Sequence, residues 1–125
     1  MNESMFQNVF DILIEVMPQD WDKVIFYAGY AEGSYGMKFY TKLGNMEYVD
    51  CFSQQEADEE KLMMAFMKID NVLSPVREQL DDANRWNVLT MMVDSQGHMK
   101  TEFDYEDISE RMIEYEWEWE KKYLL

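Results

Sequence analysis

The sequence predicts an α+β fold: a five-stranded, mainly antiparallel sheet packed by helices, in the order α-β-β-β-α-β-β-α, forming a single domain over residues 1–125. Three observations carry this. Runs rich in aromatic and β-branched residues are joined by turns too short for a crossover, such as Glu32-Gly33-Ser34 and Asp94-Ser95-Gln96-Gly97. Leu62, Phe66, Ile69, Leu73, Val76 and Leu80 recur at helical spacing. No linker, repeat or low-complexity tract divides the 125 residues.

Residues 4–17 read as an amphipathic helix, with Ser4 as its cap and Phe6, Val9, Phe10, Leu13 and Met17 on one face. Pro18 stops it, because proline lacks the N–H a helix interior needs. Lys23 to Ala31 is a strand. Val24, Phe26, Ala28 and Tyr30 share one face, and Ile25 and Tyr27 the other, so it is expected to be covered on both sides. Tyr35 to Lys42 follows as a second strand and Met46 to Phe52 as a third.

Ser53-Gln54-Gln55-Glu56 has the form of a capping box ahead of the long central helix. Pro75 interrupts that helix. The two readings are a kink, or a second short helix capped by Ser74. Trp86 to Val93 and His98 to Tyr105 form the last hairpin, with Gly97 at the turn. Lys100, Glu102 and Asp104 occupy one face of the fifth strand, which therefore looks wet. Residues 107–122 fit both a strand and a helix pattern. Good helix formers, with Ile108, Met112, Tyr115 and Trp119 in period, favour helix.

The formal charge of −15 argues against nucleic acid or an anionic membrane as ligand, since phosphate binding needs clustered Lys and Arg. It favours a basic protein partner. No apolar run approaches 18 residues and no basic-then-apolar leader opens the chain, so a cytoplasmic location is expected. Cys51 stands alone and reads as a buried filler. His98 is the single histidine and reads as exposed, with nothing in the spacing bringing the two together. Glu102 and Asp104 could share a hard cation, but a solvent-facing strand edge explains them as well. No metal, cofactor or catalytic residue is expected.

The densest signal lies between Glu102 and Glu120, where nine carboxylates face one cation, Arg111, and rings are interleaved. Carboxylates with aromatics suit a binding face for a basic partner, while a charge run by itself suits a solvated helix. The candidate contact residues are Glu102, Asp104, Glu106, Asp107, Glu114, Tyr115, Trp117, Glu118 and Trp119, with Tyr115, Trp117 and Trp119 as anchors. Trp117 and Trp119 are two residues apart and cannot share a helical face. An exposed aromatic helix here would also support a homodimer. Met63, Met64 and Met67 read mainly as irregular core filling, with an adaptor-type peptide surface as the alternative.

Met17-Pro18-Gln19-Asp20-Trp21-Asp22-Lys23-Val24 leading into a tyrosine-bearing strand resembles the start of the YezG-like antitoxin family. Arg85-Trp86 running through Leu89-Thr90 to Asp94-Ser95-Gln96-Gly97 is similar to it too, as are Glu102-Phe103-Asp104-Tyr105-Glu106-Asp107 and Lys122-Tyr123-Leu124. The resemblance covers nearly the whole chain. It implies a non-enzymatic immunity protein of Gram-positive bacteria that binds the nuclease domain of a polymorphic toxin exported by type VII secretion. The chain departs from the pattern in a short segment between the second and third strands and in Pro75.

Overall fold

A computed structural model describes residues 3–125. Helix α1 (Glu3–Ile14) precedes β1 (Lys23–Ala31), β2 (Ser34–Lys42) and β3 (Val49–Asp50). A 3-10 turn, Cys51–Ser53, leads to α2 (Glu59–Glu78), β4 (Val88–Asp94), β5 (Met99–Asp104) and α3 (Met112–Tyr123). The strands form one antiparallel sheet in the order β3-β2-β1-β4-β5. The predicted α+β class and element order hold.

β1 is the centre of the sheet, pairing β2 on one side and β4 on the other. Its alternation sends Val24, Phe26, Ala28 and Tyr30 towards α1 and α2, where Val9, Leu13, Leu62, Phe66, Ile69 and Leu73 meet them. Ile25 and Tyr27 point the other way and pack with Tyr40, Val88, Ile108 and Trp119. The sheet is therefore sandwiched, with α1 and α2 on one face and α3 on the other, as the apolar character of both faces of β1 required. Tyr27 lies across Gly29, two residues on, where any β-carbon would overlap its hydroxyl.

Several boundaries differ from the sequence reading. α1 ends at Ile14, short of Met17, and Ser4 stands inside the first turn and not ahead of it. The third strand shrinks to two residues, because Asp50 accepts from the Phe52 N–H (2.8 Å) and bends the chain into the 3-10 turn. The capping box at Ser53–Glu56 does not form. Gln54 is tied instead to Thr41 Oγ1 (2.9 Å) and the Val49 carbonyl (3.2 Å), and Asp58 caps α2 by accepting from the Lys61 N–H (3.2 Å). α2 runs unbroken through Pro75. Asn71 and Pro75 are both exposed, so the carbonyl left without an N–H faces water.

Trp86 precedes β4 and is fully buried between Tyr30 and Phe103. Met63, Met64 and Met67 do not fill the core; they are 52%, 54% and 59% exposed on the outer side of α2. On the face of β5 expected to be wet, Lys100 is exposed, while Glu102 and Asp104 are half-buried because Tyr123 and Tyr115 of α3 reach them. That helix is the element predicted over 107–122, but it starts only at Met112, because residues 107–111 form a loop pinned by the buried Ile108.

Candidate partner-binding surface

β5 alternation places Glu102 and Asp104 on the α3 side, while Tyr115, Trp119 and Tyr123 recur every four residues along the inner stripe of α3. The two sets meet. Tyr115 Oη donates to Asp104 Oδ2 at 2.6 Å and Tyr123 Oη to Glu102 Oε2 at 2.7 Å. Trp119 Nε1 donates to Thr90 Oγ1 at 2.8 Å, and its ring packs against Tyr27, Tyr40 and Tyr123 with centroids 5.1, 5.8 and 5.1 Å away.

Each hydrogen bond shifts both partners. Burial and the Asp104 carboxylate hold the Tyr115 hydroxyl far above its ordinary value. Burial and Glu102 push Tyr123 up to about 12. Glu102 is held below the usual range, chiefly by the Tyr123 hydroxyl. At Asp104 burial acts upward but is outweighed by the Tyr115 hydroxyl and backbone N–H groups, leaving it low. These phenols stay protonated donors and these carboxylates stay charged acceptors near neutral pH.

Much of the acidic run is spent internally. Arg111 contacts Glu106 and Glu118 at 2.7 Å each and Glu114 at 3.6 Å. Lys38 reaches across from β2 to Glu116 at 3.3 Å and Asp50 at 3.5 Å. Tyr40 donates to Glu120 at 3.3 Å. A single cation in a nineteen-residue acidic segment therefore serves as the hub of three carboxylates.

Between β5 and α3 lies a groove of about 380 Å³. Six of the nine sequence-predicted residues line it: Glu102, Asp104, Glu106, Tyr115, Glu118 and Trp119. Lys122 is its one cation. Asp107 falls instead on a second cleft, beside Tyr105 and Glu32. Glu114 and Trp117 lie on the outer face of α3. Trp119 is not an exposed ring: only 3% of it is accessible, and it belongs to the core beneath the groove. Trp117 is 62% exposed. Sequence reading missed its neighbour Ile113, 69% exposed one helical turn earlier. The i,i+4 spacing of these two apolar residues among carboxylates was the available signal.

Cys51 is buried and its thiol is pushed up to about 12, first by burial. His98 is exposed and bound to Asp94 at 2.9 Å within the β4–β5 hairpin. Among the described residues no group of three or more His, Cys, Asp and Glu is placed to hold a metal ion. Among the described residues no helix is long and apolar enough to cross a membrane.

A family model described as "Immunity protein YezG-like" matches residues 2–124. The chain belongs to the YezG-like immunity protein family. No curated protein matches it. The residues that carry the YezG-like resemblance are mostly structural. Trp21 packs edge-on to Phe10 at 6.0 Å, and Trp86 is in the core. Arg85 ties the end of α2 by donating to the Leu80 carbonyl at 2.6 Å, and Gly97 takes the positive φ of the hairpin turn. In the acidic stretch of this YezG-like chain, Phe103 packs on Trp86 while Asp104 holds Tyr115.

Proposed function

We propose that this immunity protein neutralises a nuclease toxin by binding its basic surface with the outer face of α3 and the β5–α3 groove. The observation that carries the reading is the exposed Ile113–Trp117 pair beside a groove containing four carboxylates and one lysine. Apolar side chains supply affinity once desolvated, and the surrounding charge steers a cationic partner. A nuclease must present a cationic cleft to phosphate, so the two surfaces are complementary. Pairing with Arg111 and Lys38 lowers the free charge of the segment, and because Arg111 engages Glu106 and Glu118, Glu102 and Asp104 are the groove carboxylates left outside that hub.

Co-expression with the product of the neighbouring gene, followed by pull-down and a DNA-degradation assay, tests the reading. Binding that suppresses degradation supports it. Co-purification with no protection of DNA, or no binding, refutes it. The exposure of Met63, Met64 and Met67 favours a second reading, an adaptor surface on α2. Replacing all three with glutamine should leave toxin binding unchanged on the first reading and abolish partner binding on the second.

A further inference from the structure

We propose that the outer edge of β5 accepts an extended strand from the toxin, one whose alternate side chains are lysine or arginine. This rests on the toxin-binding reading above and specifies how the partner docks.

β5 ends the sheet, and among the described residues no strand pairs its outer side. Every second pair of the β4–β5 register is Met92–Lys100, Thr90–Glu102 and Val88–Asp104. The Asp94 N–H donates to the His98 carbonyl at 3.0 Å, which marks the even-numbered residues of β5 as the set bonded inward to β4. The Asp104 carbonyl agrees, accepting from the Asn87 N–H at 2.8 Å. Alternation then turns the N–H and C=O groups of Met99, Thr101 and Phe103 outward.

Sheet edges are commonly blunted by proline, bulges or lysines. Residues 99–104 contain no proline, and their one lysine, Lys100, is turned back to Glu102 at 3.4 Å. The opposite edge of the sheet, β3, is two residues long and runs straight into the 3-10 turn. β5 is the longer template.

The flanks of this edge specify the occupant. On the α3 side an added strand places every second side chain over the groove, where Glu102, Asp104, Glu106 and Glu118 outnumber Lys122 and the Arg111 that engages the last two. On the α1 side the intervening side chains meet Phe6 and Phe103, whose rings pack at 6.1 Å. The fitting segment is extended and alternates basic with apolar residues. Main-chain bonds then contribute affinity, and the groove reads the basic positions.

Amide hydrogen exchange by NMR on the wild-type protein, with and without the toxin domain that the co-expression experiment identifies, is the first test. Slowed exchange at Met99, Thr101 and Phe103 on binding is the expected result. The second is Thr101→Pro, which removes an outward N–H and no bond to β4. It should keep the wild-type circular dichroism spectrum and weaken toxin binding at least about tenfold, the worth of roughly 1.4 kcal/mol. Unchanged exchange at those three amides overturns the inference while leaving the toxin-binding reading in place, as does wild-type affinity in folded Thr101→Pro. Failure of the wild-type protein to bind the toxin overturns both.

Discussion

Tyr115 Oη donates to Asp104 Oδ2 at 2.6 Å, joining the first turn of α3 to the last residue of β5. A hydrogen bond to a charged acceptor is worth more than a neutral one, and here both partners are half-buried. Tyr115→Phe should cost about 1–2 kcal/mol in urea unfolding. Tyr123→Phe should cost less, because Glu102 is closer to solvent and shares Lys100. Equal stability of wild type and Tyr115→Phe would show that the bond contributes nothing net.

The same two pairs set a pH window. Glu102 and Asp104 are depressed in the folded state, so their contribution is complete above the ordinary carboxylate range and is lost below it, as pH falls through their lowered folded values. Tyr115 and Tyr123 are raised, so theirs is complete below the ordinary phenol value of about 10 and is lost as pH rises through the folded value, about 12 for Tyr123. Chemical-denaturation midpoints should form a plateau across neutral pH and fall at both ends. In Tyr115→Phe the alkaline fall should shrink.

Trp117 and Trp119 separate stability from binding. Trp119→Ala removes a buried ring and its bond to Thr90, and should destabilise by about 3–5 kcal/mol. Trp117→Ala, with its exposed ring, should stay within about 0.5 kcal/mol of wild type while weakening toxin binding. Thermal melts paired with a binding titration check both. Intact binding after Trp117→Ala combined with Ile113→Ala would remove the outer face of α3 from the interface.

Gly29→Ala tests the close approach of Tyr27. The added methyl meets the Tyr27 hydroxyl and ring in a packed layer, so it should cost about 1–3 kcal/mol. Gly33→Ala meets no neighbouring atom, but it forces alanine to a φ of 78° at the turn, and should be destabilising through backbone strain instead. Tyr27→Phe, by trimming the hydroxyl, should rescue part of the Gly29→Ala loss and none of the Gly33→Ala loss.

The sheet and its covering were legible because alternation in β1 and the period of α2 are dictated by burial on known faces. β3 was not legible, since a side chain at Asp50 bends the chain and propensity does not register that. The capping box failed because the helix starts later: Ser53 closes the 3-10 turn and Asp58, five residues on, takes the cap, while Gln54 is drawn to Thr41 and Val49. At the candidate surface, spacing separated Trp117 from Trp119 without saying which faced out. Only the β5–α3 packing decides that. The charge of the acidic segment could be counted, but its internal neutralisation by Arg111 and by Lys38 of β2 is a tertiary fact.

Because α3 rests on its own cluster, separate from the one under α1 and α2, it can detach while the main core persists. Such a partial opening would abolish the groove and the outer aromatic pair together. On the proposed reading of that surface, protection of the cell would then track the docking free energy of one twelve-residue helix more closely than the global unfolding free energy of the protein.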